Sequence, residues 1–548
     1  MAADVEMTGI EPGDNTMTGK LPVLVLSLGV GLGFLADQLF GSVGPFGLGF
    51  FLWTLLYAVT LCWLGIAFST ARPQVLIGWS LCAFAAVTMI LFRTTPVVIL
   101  SLLLVMVVAM AMIILHLGRC SLNGSTFFQH LRALVMVPWQ SVSGAPGVLS
   151  RVDLSAGFRS PKAWSLLRGL LLATPLLLIF ASLFSAADAG FSRLFSNIVE
   201  LVSERTLQHL VLTAVFAWLS TGLLAGIAGN RYFDSPVRRL PFLKLGTEDT
   251  AVLMGSLAAL FLIFVFLQLG YLFGGRETIE ATSGLTLAQY ARRGFFELLL
   301  VAGLTLGLLI VVAGSGCNQR VFRPLATVLL ACVLIIQLSA VQRLLLYIDS
   351  FGLTIDRLTA LAVMAWLTIG LMLFAATLLR GQPRRFAAGM TISGVTVVLL
   401  LALSNPAAIV TRINLRTTDI QPPALDIDYL LGLGPDAVPP LVKRFDGLTL
   451  EPRHCIAVAQ IYSRWYRNPS AVENDGQGWR GWNYSQRHAR VLIADFEDRL
   501  RELAQPCAGA GQLVYPRELS QELNTPVVWV GVSPAILEQM FRWLRDTP

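Results

Sequence analysis

Charge is what this sequence has least of. Asp, Glu, Lys and Arg make up 13% of its 548 residues, where soluble globular domains carry about 25%. The mean hydropathy is +0.69, and apolar runs of about 20 residues recur along the chain. Together these exclude an ordinary soluble domain and predict a polytopic membrane protein. Motifs are equally scarce: there is no P-loop, no G-x-S-x-G and no H-E-x-x-H, so the common nucleotide-binding, serine-hydrolase and zinc-protease signatures are missing. The five His are scattered, and the seven Cys form no C-x-x-C and no metal spacing. No metal, cofactor or catalytic residue is expected. The net charge of +7 does not point to nucleic acid, because the cations sit in short loops between apolar segments, where they set topology. The first 20 residues hold one cation, Lys20. They lack the basic start of a signal peptide and read as a polar tail.

What is present is a series of apolar segments. Eleven read as spanning helices: 21–40, 46–69, 74–92, 95–117, 163–187, 207–229, 250–273, 291–313, 324–347, 357–380 and 386–404. Each is long enough to cross about 30 Å of hydrocarbon, and helix is required because no water satisfies the backbone there. The expected fold is an all-α polytopic transmembrane bundle over residues 21–404, followed by a small, mainly helical extramembrane domain over residues 405–548. Loops after even-numbered segments carry most of the cations, among them Arg119, Arg132, Arg151, Arg231, Arg238, Arg320, Arg323, Arg384 and Arg385. By the positive-inside rule the amino terminus is expected in the cytoplasm and the C-terminal domain outside. The long inner loop, 118–162, holds STFFQHLRALVMVPWQ. Ser125 can cap a helix there whose apolar face suits the membrane surface; the other reading is a partly buried linker.

The tail is a different material. DIDYLLGLGPDAVPPLVKRF reads as two short helices with a Gly-Pro break, and PRHCIAVAQIYSRWYRN and WNYSQRHARVLIADFEDRLREL as amphipathic helices. A strand at Pro526–Val532 and a last helix near Pro534–Leu544 are expected. Cys455 and Cys507 are the tail's only cysteines and are in a position to pair in an oxidising compartment, although spacing does not decide it. Trp465, Tyr466, Trp479, Trp482 and Tyr484 form an aromatic group suited to packing, to the membrane surface or to stacking on sugars.

QLGYLFGG (268–275), YARRGFFEL (290–298) and RLLLYIDSFGLTIDR (343–357) resemble the core motifs of an uncharacterised bacterial multi-pass membrane family, domain of unknown function 4173, with a close relative, 4153. LGTEDTAVLM (245–254), DIDYLLGLGPDAVPPLV (426–442) and WRGWNYSQRHAR (479–490) fit the same pattern. The resemblance covers about residues 165 to 500 and implies a bacterial inner-membrane protein. It carries no activity and no catalytic residues.

Ionisable groups in hydrocarbon are costly and call for a role. Asp37, Asp188, His209, Gln268, Glu297, Arg343 and Asp349 fall near the outer ends of their segments, with Gln337 nearer the middle. They either line one outward-facing polar site or sit singly at the interface and snorkel. Gln268–Leu298 is the stretch richest in such groups. Within it Arg293 and Glu297 share a helix face. Two functions stay open. One is a non-enzymatic envelope protein for assembly, sensing or regulation, meeting a protein partner through its tail. The other is a proton-coupled secondary transporter using the polar cluster, with Glu297 protonatable. An enzyme acting on lipid-linked substrates is disfavoured, because the first external loop, GSVGP (41–45), carries no charge.

Overall fold

Backbone in hydrocarbon has only its own carbonyls to bond, so each apolar run becomes a helix. The computed structural model describes residues 15–41, 46–68, 73–117, 126–152, 204–228, 245–273, 295–417, 426–446, 455–467 and 475–509, and parts of 169–190. Its regular structure is all helical, with no strand among the described residues. The bundle is built from α1 (Asn15–Ala36, closed by a π turn, Asp37–Gly41), α2 (Leu48–Phe68), α3 (Pro73–Ile90), α4 (Pro96–Leu117), α5 (Phe127–Leu149), α6 (Glu204–Ala228), α7 (Thr247–Phe273), α8 (Phe295–Gly314), α9 (Gln319–Phe351), α10 (Ile355–Leu373, with a π turn Phe374–Leu378) and α11 (Pro383–Ser404).

Nine of the described helices are long and apolar enough to span a membrane, and α3 adds the shorter Val75–Ile90. The chain is a multi-pass membrane protein. These helices match the expected segments, except that 163–187 lies mostly outside the described residues. The first helix begins inside the segment read as a polar tail.

Two packed halves share one helix. Buried apolar residues of α1 to α6 form one core, and those of α7 to α11 form another. α11 feeds both, with Val395 and Ala402 in the first and Phe386 and Met390 in the second. The α1–α6 contact is close because Gly29 and Gly33 are one turn apart, the small-x-x-x-small spacing of membrane helix pairs. A Cβ on Gly29 would lie 2.0 Å from Thr221 Oγ1, and one on Gly33 would lie 2.5 Å from Ala217 N.

α5 is the inner-loop helix. Thr126, rather than Ser125, closes its first turn in a capping box with Gln129. Its start meets Gly314 at the end of α8, and Gly144 meets Gly222 near the end of α6. Both helix ends lie on the face away from the tail, so α5 crosses that face rather than threading the bundle. Arg320, Arg323, Arg380, Arg384 and Arg385 lie at helix ends on the same side.

Asn405 turns the chain out of the bundle with a positive φ of 55°, a conformation asparagine tolerates. Nine described pieces follow: α12 (Pro406–Thr417), α13 (Ile427–Gly432), a 3-10 turn at Pro435–Ala437, α14 (Val438–Asp446), α15 (Cys455–Tyr462), a π turn at Ser463–Arg467, a 3-10 segment at Asp475–Gly481, α16 (Tyr484–Asp495) and α17 (Glu497–Gly509). The expected WNYS…REL helix breaks at Phe496, which is buried in the tail core. That core also takes in Leu353 and Ile355 from the α9–α10 connection. The tail is built onto the bundle, and its own core closes over that connection. The expected strand and last helix lie outside the described residues.

Candidate functional site

The chemistry most densely placed is the joint between tail and bundle. Gly434, at a φ of +80°, and Pro435 make the Gly-Pro break and turn Asp436 inward, leaving it 1% exposed. Its Oδ2 accepts from the backbone N–H of Thr94 (2.7 Å) and of Thr95 (3.1 Å), and from their hydroxyls at 3.0 and 3.1 Å. Its Oδ1 accepts from Ser485 Oγ at 2.6 Å. Thr94 and Thr95 lead directly into α4, whose first residue is Pro96. The carboxylate therefore sits at the positive end of a helix dipole and takes up backbone donors that have no partner within the helix.

Arg93 lies beside this carboxylate. Its guanidinium donates to Ala402 O (2.6 Å), Leu403 O (2.9 Å) and Phe92 O (2.7 Å), so it closes the last turn of α11. Burial lowers its pKa, and the charge of Asp436 works in the opposite direction. Asn483 serves two helices. Its Nδ2 donates to Ile90 O (3.0 Å) at the end of α3, and its Oδ1 accepts from Gln486 N (3.2 Å), capping α16. Tyr484 N donates to Leu91 O (2.8 Å), and Leu48 N at the start of α2 donates to Trp482 O (3.0 Å). Gly47 permits that approach, since a Cβ there would lie 2.6 Å from Arg480 O. Four bundle helices thus have end groups satisfied at this joint.

A second clamp holds the α9–α10 connection. Asn414 takes both backbone groups of Leu353, accepting its N–H and donating to its carbonyl, each at 2.8 Å. Tyr429 Oη accepts from Ile355 N at 2.9 Å. Arg357 donates to Phe351 O and Gly352 O and lies 4.0 Å from the Tyr347 ring centroid.

The residues singled out from the sequence divide into separate groups. Asp37, 2% exposed and in the π turn of α1, is paired with His209 of α6, whose Nδ1 lies 2.7 and 2.9 Å from its two oxygens. Phe40, Phe50, Trp53 and Phe216 pack edge to face just beyond it. Gln268 and Arg343 do come together: Gln268 Oε1 accepts from Arg343 Nη2 (3.1 Å) and Ser339 Oγ (3.0 Å). Gln337 bonds elsewhere, donating to Met364 O at 2.6 Å, and its buried Oε1 has no hydrogen-bond partner among the described residues. Glu297, Asp188 and Asp349 are exposed. Arg293 lies outside the described residues, so its pairing with Glu297 does too. The described contacts put these groups on three helix pairs, α1–α6, α7–α9 and α9–α10. The side chains of Cys455 and Cys507 also lie outside the described residues, but their helices, α15 and α17, pack against each other. No cluster of three or more His, Cys, Asp or Glu suited to a metal occurs among the described residues. On the opposite face, His130 of α5 bonds Thr391 Oγ1 at 2.9 Å, and burial, with His116 nearby, pushes its pKa down to about 4.

Asp436, Thr94, Thr95, Asn483, Ser485, Asn414 and Tyr429 were not read from the sequence as site residues. Most of them do fall in the quoted motifs: GLGPDAV holds Asp436, WRGWNYS holds Asn483 and Ser485, and SFGLTIDR holds the segment that Asn414 and Tyr429 grip. Three of the six quoted motifs, 343–357, 426–442 and 479–490, thus meet at the joint and the clamp beside it.

Neither the curated proteins nor the solved structures hold a match to this chain. A family model described as a domain of unknown function, DUF4153, matches residues 75–444. The match begins and ends earlier than the stretch of resemblance read from the motifs, and it falls on the relative of the family named there first. It spans most of the bundle and the first part of the tail, through Asp436, and the chain belongs to the DUF4153 family.

Proposed function

We propose that this protein is a non-enzymatic component of a bacterial inner membrane, in which the helical tail is held against one face of the bundle and meets an envelope partner in assembly, sensing or regulation. The observation that carries the reading is the burial of Asp436 against the start of α4. A force or ligand acting on the tail is transmitted through it to α3, α4 and α11. The cations at the helix ends remote from the tail favour a cytoplasmic placement of that remote face, with the tail outside.

The test uses Asp436→Ala in a strain lacking the chromosomal copy. The variant should insert into the membrane at normal levels, expose its tail to added protease and fail to complement the deletion phenotype. Full complementation by a variant with a released tail would overturn the reading. Removing residues 410–548 is a poorer test, because it also uncovers the ends of bundle helices.

A second reading, proton-coupled transport, is favoured by one feature: the buried Asp37, paired with the half-exposed His209, sits in a π turn, an irregularity frequent at functional sites. On that reading the residue to replace is Asp37, since Glu297 is exposed. Asp37→Asn should abolish proton uptake by proteoliposomes under an imposed potential. Proton uptake equal to wild type would remove this reading.

A further inference from the structure

Among the described residues, the joint leaves one basic and aromatic surface uncovered. From Gly476 to Ala494 the chain has no carboxylate, while it carries Arg480, Arg487, His488 and Arg490. Trp479 is 56% exposed, Tyr484 46% and Val491 52%, and Arg487 and His488 are exposed as well. Along α16, residues 484, 487, 488 and 491 lie on one helix face, and the opposite face, Ser485, Ala489 and Ile493, is buried in the tail. The exposed side chains are ordered against one another. Tyr484 packs on Phe92 at 5.3 Å and stacks on His488 at 5.7 Å, and the Arg480 guanidinium lies 5.8 Å from the Trp479 ring centroid.

The depth of this surface follows from its attachment. Tyr484 N donates to Leu91 O, one residue beyond the last residue of α3, so α16 starts level with the end of that apolar helix and close to the start of the span-length α4. Trp and Tyr are favoured at that depth, with one side in the apolar boundary and the polar edge in the headgroups. Arg at the same level extends its charge into the phosphate layer.

We propose that the Trp479–Val491 face is a membrane-surface binding element that seats the tail on anionic phospholipid headgroups of the adjoining leaflet. It is continuous with the bundle, carries the complementary charge and exposes aromatic rings at the boundary. The proposal does not depend on what the rest of the tail meets, and it holds under either functional reading.

The experiment titrates full-length protein in neutral detergent with short-chain phosphatidylglycerol or phosphatidylcholine and counts bound lipids by native mass spectrometry. Wild type should bind phosphatidylglycerol roughly 10–30-fold more tightly than the Arg480→Gln/Arg487→Gln double variant. The double Lys variant should recover most of the difference, and phosphatidylcholine should distinguish none of the three. In parallel, in nanodiscs of brominated phosphatidylcholine and phosphatidylglycerol, Trp479→Phe should remove part of the tryptophan quenching. Neither arginine side chain takes part in the joint, so the variants should melt with wild type; if the double variant does not, the exposed Arg487→Gln alone is compared. Equal phosphatidylglycerol binding by wild type and the Gln variant overturns the proposal. So does quenching unchanged by Trp479→Phe, or a dimer that disappears with the Gln variant, since the face would then bind a second copy.

Discussion

At the scale of single residues, Asp436 shows how a buried carboxylate is made tolerable. A charge removed from water costs several kcal/mol unless it is fully hydrogen-bonded. Here five donors and a helix dipole supply that compensation. The consequence is a graded series. Asp436→Ala leaves the donors of Thr94 and Thr95 without an acceptor and should cost about 3–5 kcal/mol, read as a fall in the melting temperature of tail docking. Asp436→Asn keeps one oxygen for the threonines and can turn its amide to Ser485 Oγ, so it should lose about half as much. An Asn variant as damaging as Ala would mean that the charge, rather than the bonding, holds the joint. None of this was legible locally. Asp436 follows a Gly-Pro pair and reads as an ordinary turn residue, and its threonine partners lie 341 residues earlier in the sequence. Asp37 was legible as a costly charge, but its partner had to come from the fold.

At the scale of elements, hydropathy did most of the work. Ten helices stand within a few residues of the expected apolar runs, because the membrane imposes helix on any such run regardless of context. What hydropathy does not convey is how closely helices approach. α1 and α6 meet through Gly29 and Gly33 set against Thr213, Ala217 and Thr221, and Asp37 reaches His209 one turn beyond Gly33. Gly33→Leu should therefore push the helices apart, cost about 1–3 kcal/mol or more from overpacking and separate Asp37 from His209. Thermal denaturation in detergent reads the first effect. The second should appear as faster modification of His209 by diethyl pyrocarbonate than in wild type, where Nδ1 of the half-exposed ring is held by Asp37. Modification at the wild-type rate in a folded Gly33→Leu variant would show that the pair does not depend on this crossing. α16 and α17 teach the reverse lesson: amphipathic periodicity continues through Phe496, but burial of that ring in the tail core favours a bend.

At the scale of the whole molecule, the division into bundle and tail was legible from composition, and their union was not. The sequence changes character near Pro406, so the tail reads as an independent small domain. Yet its core includes Leu353 and Ile355, and its polar groups close helices of both halves. The tail also contains the expected cysteine pair. α15 and α17 pack together, so we expect Cys455 and Cys507 to resist maleimide labelling until reductant is added, and the Cys455→Ser variant to release one free thiol at Cys507. Labelling of both thiols without reductant would place the tail in a reducing compartment or the thiols apart. Loss of a disulfide typically costs about 2–5 kcal/mol in small secreted domains, so the variant should also melt earlier.

The shared helix ends have a consequence for biosynthesis. The α3–α4 hairpin enters the membrane early, but Asn483 lies 393 residues after the Ile90 carbonyl it closes. At about 5–20 residues per second, the hairpin waits roughly 20–80 s with its turn uncovered. During that interval water, lipid headgroups or an assembly factor must occupy the places that Asp436 and Asn483 later take. Ribosome stalling before residue 483 would prolong this state and leave an otherwise inserted bundle open on one face.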